Sequence, residues 1–343
     1  ALLAHEGIKV TLLEAHAKPG GCAGTFRRGA YVFDVGATQV AGLEKGGIHY
    51  RILKHLKSSL PSSSILDPAC VVHLGDGKEP IYIWYDQDKW EKERNNKFPG
   101  SELFWNLCAR LHKSNWAFAQ SDPILPVKNL WDFRQFLQAS KCIDPLSALF
   151  SRSSVADLLW LCSCREDIRL RKFLDLQLKL YSQESTEKTS ALYGATVLQM
   201  AQAPLGLRHL DGSMQKLSDH LLSSFLRDGG EFYSKHRVVN FKKIQGSVWQ
   251  LDVLNQKNLP LQFKASDLVF SLPPQSLLDM VTCKNNFPEG YRSRLENLSQ
   301  PKGAIVFYGA IKRDNLPSDC VGHIQLTEKT IGSLFVSISF DGD

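Results

Sequence analysis

The chain has 343 residues, 43% of them hydrophobic and 22% charged, with a formal net charge of +6. No run reaches the roughly 18–20 uninterrupted apolar residues that span a bilayer, and the positive charge is scattered, unlike the dense Lys/Arg stripes of nucleic-acid binders. What remains is a globular chain long enough for two domains and a large core, whose mild basic charge also suits an anionic membrane surface.

Ala1–Gly7 reads as the last turns of a helix ended by glycine. Ile8–Leu13 then reads as a short buried parallel strand, and Glu14 stands at its tip. Helix, strand and terminal acid form the second half of a Rossmann βαβ unit, in which the acid accepts hydrogen bonds from a dinucleotide ribose. A surface Glu after a strand is common, so Glu14 alone decides little. Pro19–Phe26 follows as a glycine-dense turn, with Gly20, Gly21 and Gly24 free to adopt positive φ or to let backbone approach a ligand. Ala30–Asp34 reads as a strand leading into Val35-Gly36-Ala37-Thr38. No initiator Met, signal peptide or transit-like leader is visible, and the glycine-rich pyrophosphate turn is expected upstream of Ala1.

From about Ile48 to Pro204 amphipathic helices dominate: Ser101–Ala119, Trp131–Ala139 and Val155–Cys164. Six tryptophans lie here: Trp84, Trp90, Trp105, Trp116, Trp131 and Trp160. Clusters of this kind are usually core; a tunnel for a long apolar ligand, or contact with a membrane surface, are the open alternatives. The eight cysteines fit neither a zinc site nor a CxxC motif and need no disulfides, which points to a reducing compartment and no metal. Further on, Met214–Arg227 has helical spacing stopped by Gly229-Gly230. Glu231–Tyr233 and His236–Phe241 read as strands, Ser247–Val253 and Leu259–Phe263 as a hairpin, and Ser266–Pro274 as a return strand.

Glu14, the Pro19–Gly24 turn and Phe33-Asp34-Val35-Gly36-Ala37 together resemble the flavin-binding region of amine-oxidase-like flavoproteins. The resemblance is closer to the phytoene desaturase and carotenoid isomerase family, whose pattern is an acid, a GG turn and aromatic-x-F-D-x-G. Within it, Asp34–Leu43 and Phe173–Ser182 look most like the cyanobacterial carotenoid 3′,4′-desaturase branch. Gly206–Lys216 resembles the family's G-x(n)-GGM turn, with Asp211 where a glycine is usual.

The resemblance implies an α/β fold: a Rossmann-like FAD-binding domain (1–47 and 205–280) with an inserted α+β substrate domain (48–204 and 281–343), truncated at both ends. Glu14 would bind the adenosine ribose, Gly20 and Gly21 would lie beside the FAD, and Gly36 and Ala37 would lie near the flavin. A valine backbone, Val238 or Val239, would meet the adenine; Val239 is taken here. The implied function is FAD-dependent desaturation of a carotenoid, at C-3′,4′ in the branch named, with FAD as two-electron acceptor.

Carotenoid cis–trans isomerisation is the alternative enzyme reading, and a prenyl- or lipid-binding escort on the same fold is the non-enzyme one. An amine oxidase is disfavoured because no flavin-facing aromatic cage is seen. No residue is assigned as catalytic; His209 and His236 lie close to cofactor motifs and read more simply as structural or surface side chains. Expected partners are a carotenoid and, peripherally, a membrane (thylakoid or plasma membrane if cyanobacterial), with the protein cytoplasmic and no nucleic acid bound.

Overall fold

The computed structural model describes residues 1–244, 246, 248–280, 287–299, 303–328 and 330–339. Ser247, Phe340 and Cys283 lie outside them. The N-terminal helix α1 (Leu2–His5) ends at Gly7, which takes φ +79°. The strand expected from Ile8 forms only as β1 (Thr11–Leu13), and Ile8 is exposed. Gly29 turns β2 (Thr25–Arg28) into β3 (Tyr31–Asp34), an antiparallel hairpin in which Phe26 faces Phe33. Helix α2 (Ile48–His55) follows. Its Leu53 is fully buried in a small cluster with Val40, Leu43, Leu210, Met214 and Leu217.

The next stretch opens with three short strands, β4 (Ser63–Ile65), β5 (Cys70–His73) and β6 (Ile81–Ile83). The helical series begins with α3 (Gln87–Lys97) and α4 (Glu102–Gln120). It continues through α5 (Leu130–Ser140), α6 (Pro145–Leu149), α7 (Val155–Leu161), α8 (Ile168–Tyr181) and α9 (Ala191–Val197). Side chains preceding these helices satisfy their first N–H groups. Asp86 accepts from Lys89 N, Asn129 from Asp132 N and Asp167 from Leu170 N, while Ser154 and Asp157 form a reciprocal capping box.

The main core joins these helices to β5 and β6. Trp105 crosses Trp90 edge-on at 5.7 Å and Phe104 at 5.2 Å, and Phe173 of α8 closes the group against Phe98. Each such ring, fully buried, stabilises the fold by about 2–3 kcal/mol relative to exposure. The Trp and Leu segments expected in the core divide. Trp90 and Trp105 are inside, whereas Trp160 of α7 is exposed. Trp131 also lies outside, because α5 fully buries only Asp132 and Ala139, packs Phe136 on Phe118 and leaves Leu130, Trp131, Phe133 and Leu137 exposed.

The chain then returns through β7 (Arg208–Leu210), antiparallel to β4, and α10 (Gln215–Arg227). Gly229 (φ +84°) leads into β8 (Glu231–Tyr233), which pairs with β1 in parallel, Leu12 opposite Phe232. That parallel pair with its crossover helix is the Rossmann element of the fold. A meander follows, β9 (Arg237–Lys243), β10 (Trp249–Leu254) and β11 (Pro260–Ala265), in sheet order β11-β10-β9.

The return strand expected over Ser266–Pro274 does not form. Leu268 and Phe270 pack on Phe241 while Val269 is 86% exposed, so the alternation of a strand is there, but no strand among the described residues pairs with it. Two short helices, α11 (Ser276–Met280) and α12 (Glu289–Glu296), precede the last strands, β12 (His323–Glu328) and β13 (Gly332–Ser337). β12 lies parallel to β5 in a four-stranded mixed sheet of order β13-β12-β5-β6, joining segments more than 200 residues apart.

Candidate functional site

The site is assembled at the tip of β1. Glu14 N–H donates to Tyr233 O at 3.0 Å, and Glu14 O accepts from His236 N at 2.8 Å. These bonds fix Glu14 beside the entry to β9. The Glu14 carboxylate is half-buried and accepts the His16 N–H through Oε1 at 2.8 Å. On β9, Val238 faces Val253 and Asn240 faces Asp252, which leaves Val239 as the extra residue of a bulge in an edge strand. A bulge withdraws main-chain groups from the ladder. Val239 is exposed, whereas Val238 packs inward on the Phe241 cluster, so of the two valines Val239 is the one whose surroundings are open.

The GG turn is tightly specified. Gly20 has φ +132°, and a Cβ there would sit 2.8 Å from Ser218 Oγ of α10. Gly21 has φ +53°, and nothing lies within 4 Å of where its Cβ would point. The turn therefore needs glycine at both positions and presents open space at Gly21.

Gln215, the buried first residue of α10, clamps the turn from behind. Its Nε2 donates to Pro19 O at 2.8 Å and to Asp219 Oδ1 at 3.1 Å, and its Oε1 accepts from Thr25 N at 3.2 Å. The sequence gives no sign of this, since the helical spacing marks only Leu217, Leu221, Leu222 and Phe225.

Gly36 and Ala37 meet the turn through Cys22. Ala37 N–H donates to Cys22 O at 2.9 Å, and a Cβ on Gly36 would come 3.4 Å from the same oxygen. Asp34 Oδ1 accepts the Met214 N–H at 3.0 Å and so ties the end of β3 to the start of α10. Burial pushes the Asp34 carboxyl above its ordinary value, opposed by that hydrogen bond and by His209. Beyond Ala37, Thr38 Oγ1 lies 3.3 Å from Nε2 of His323 on β12. His323 is 3% exposed, stacks on Phe335 and has its pKa held down to about 4 by burial and by His209, while its Nδ1 has no partner among the described residues.

The structure thus gathers Gly20, Gly21, Gly36 and Ala37 around Cys22 and sets Glu14 against His236, with Val239 three residues further on in β9. His236 takes part through its backbone; its ring Nδ1 bonds Ser234 O at 2.7 Å. Behind Gln39, a void of about 20 Å³ lies between Trp105, Phe173, Gln177 and Phe335. It has room for about one water molecule. Trp90, Phe98, Trp105 and Phe173 are packed core.

Residues 1–56 match the family model described as an NAD(P)-binding Rossmann-like domain. The chain is 32% identical to prolycopene isomerase 1 of an Oncidium hybrid cultivar over 118 residues, which is 33% of this chain and 20% of the isomerase. It is 30% identical to all-trans-retinol 13,14-reductase of Homo sapiens over 156 residues, 41% of this chain and 25% of the reductase. The matches thus span a fifth to a quarter of the length of these curated relatives.

Among solved structures, an oxidoreductase from Methanosarcina mazei superposes with a TM-score of 0.55 at 14% identity, covering 87% of this chain and 61% of the other. A redesigned putrescine oxidase superposes with a TM-score of 0.53 at 14% identity, covering 86% and 59%. At such identities these likenesses speak for the fold alone. The chain is an α/β protein built on a Rossmann-like nucleotide-binding unit, in the architecture it shares with the putrescine oxidase and the Methanosarcina mazei oxidoreductase.

Proposed function

We propose that this chain is part of an FAD-dependent oxidoreductase acting on a conjugated isoprenoid polyene. Three features support the reading: Glu14 at the tip of β1, hydrogen-bonded to Tyr233 and His236, the positive-φ Gly20-Gly21 turn packed against α10, which leads into β8, and the Val239 bulge on the strand that follows β8. These residues fit a dinucleotide: an acid for ribose hydroxyls, a positive-φ turn with open space at Gly21, and main-chain groups at Val239 released from the ladder. Glu14 would hold the ribose and Val239 the adenine, with Gly36 and Ala37 beside the flavin. Segments 1–47 and 205–280 would hold the cofactor, and 48–204 and 281–343 the polyene. Bound FAD would supply two-electron redox chemistry. The chain orients the group and excludes water around it, with Gln215 fixing the turn and Asp34 the helix behind it.

The polyene is inferred from the relatives, since prolycopene and retinol are both conjugated isoprenoids. The finer reading is desaturation of a carotenoid at C-3′,4′. The second reading, cis–trans isomerisation, is favoured by the likeness to the prolycopene isomerase.

Incubating the purified protein with FAD and a carotenoid in lipid, followed by mass analysis, separates these. A product lighter by two hydrogens means desaturation, and an unchanged mass with shifted absorption means isomerisation. A gain of two hydrogens would place it with saturating reductases. An unaltered polyene and no retained flavin would overturn the proposal and favour a lipid-binding escort.

A further inference from the structure

The segment from Val35 to Gln39 is held from both portions of the chain. On the side of the glycine turn, Val35 N–H donates to Gly24 O and Ala37 N–H to Cys22 O, each at 2.9 Å. From the other portion, Tyr308 O–H donates to Val35 O at 2.6 Å, and Gln39 Nε2 donates to Ala69 O at 3.0 Å. Between these ties, Thr38 Oγ1 meets Nε2 of His323 at 3.3 Å. The segment is thus a seam between the residues that would hold the cofactor and those that would hold the substrate. A redox ring has to reach both, so it belongs along such a seam.

The hydrogens on His323 decide what Thr38 can do. The ring is neutral near pH 7 and carries a single N–H. Nδ1 is buried and has no partner among the described residues. A proton there would be a buried donor without an acceptor, which is rarer in folded proteins than an acceptor without a donor. The proton therefore sits on Nε2 and is donated to Thr38 Oγ1. That bond uses a lone pair of the hydroxyl and leaves the hydroxyl hydrogen free. Thr38 is half-buried and makes no other side-chain hydrogen bond among the described residues.

We infer that the Thr38 hydroxyl donates a hydrogen bond to an acceptor atom of the bound flavin ring, and that His323 is the positioning residue that holds it in that orientation. The inference rests on the cofactor reading above and deepens it. Val35, Gly36 and Ala37 carry no side-chain donor, and Gln39 is turned to Ala69, so Thr38 is the residue of the segment that can supply one. A donor aimed at the ring favours its reduced form, which carries more negative charge, over its oxidised form.

The test is the reduction potential of FAD bound to the purified protein, measured against a reference dye, with the flavin absorption spectrum recorded alongside. Thr38→Val removes the hydroxyl at nearly constant shape. It should raise the ratio of oxidised to reduced flavin at a given potential about tenfold, a shift of about 30 mV to more negative potential for a two-electron couple. Thr38→Ser keeps the hydroxyl and should stay at the parent's potential. His323→Leu should shift the potential in the same direction as Thr38→Val. The double variant should go no further than Thr38→Val alone, because His323 acts through Thr38.

With flavin retained, an unmoved potential in Thr38→Val, or equal shifts in Thr38→Ser and Thr38→Val, would overturn the inference and leave the cofactor reading standing. If Thr38→Val loses its flavin, His323→Leu decides, and the parent's potential in that variant would overturn the inference too. A parent that retains no flavin would overturn both.

Discussion

Gln215 shows how one side chain can hold a glycine turn from behind. Three hydrogen bonds run from its amide to Pro19, Thr25 and Asp219. Truncating it leaves buried backbone groups of the turn unpaired, at about 1–3 kcal/mol. Gln215→Ala is expected to lower stability by that amount in urea titration and to weaken dinucleotide binding more than a surface alanine does.

His323 makes a pH-dependent contribution. Its pKa falls from an ordinary 6.5 to about 4 in the folded chain. Above pH 6.5 both folded and unfolded forms are neutral at this ring. Between pH 6.5 and 4 the unfolded chain takes up a proton that the folded one resists, so stability falls as the pH drops, by roughly 2–4 kcal/mol in all. His323→Gln should flatten that part of a stability-against-pH curve. Neither role is written in the sequence, because Gln215 is one more helical residue and His323 meets Thr38 only through a contact 285 positions away.

At the scale of elements, local signals worked where the periodicity and stop signals were strong. The helix expected from Met214 to Arg227 forms with Met214 as its cap, and Gly229-Gly230 ends it. Gly230 is held by sterics: an alanine Cβ would lie 2.2 Å from the Phe225 ring. Gly230→Ala is expected to lower stability by about 1–3 kcal/mol, read from the denaturation midpoint, because Phe225 must leave its place under the α10–β8 corner.

The signals failed where a partner decides the outcome. Leu268-Val269-Phe270 has strand alternation but no strand to pair with among the described residues, and Trp131–Ala139 has the composition of a core helix but leaves Trp131, Phe133 and Leu137 exposed. Alternation and helical spacing report which residues share a face. They do not report what that face meets.

Across the whole molecule, the acid, GG turn and F-D-x-G motif were legible because they are local and glycine-dependent; the structure holds the turn and the F-D-x-G segment against α10 and the acid against the end of β8. The mixed sheet was not legible, since β12 must cross most of the chain to lie beside β5. The same long-range closure sets His323 under Thr38, tying the four-stranded sheet to the motif segment.

Calorimetric titration of the purified protein with FAD, alongside its Glu14→Ala variant, tests the central claim most directly. Saturable binding by the parent is expected, weakened roughly 10- to 100-fold in the variant by loss of charge-assisted hydrogen bonds to the ribose. A parent that does not bind FAD, or a variant that binds it equally well, would contradict the assignment of Glu14 and the cofactor site built around it.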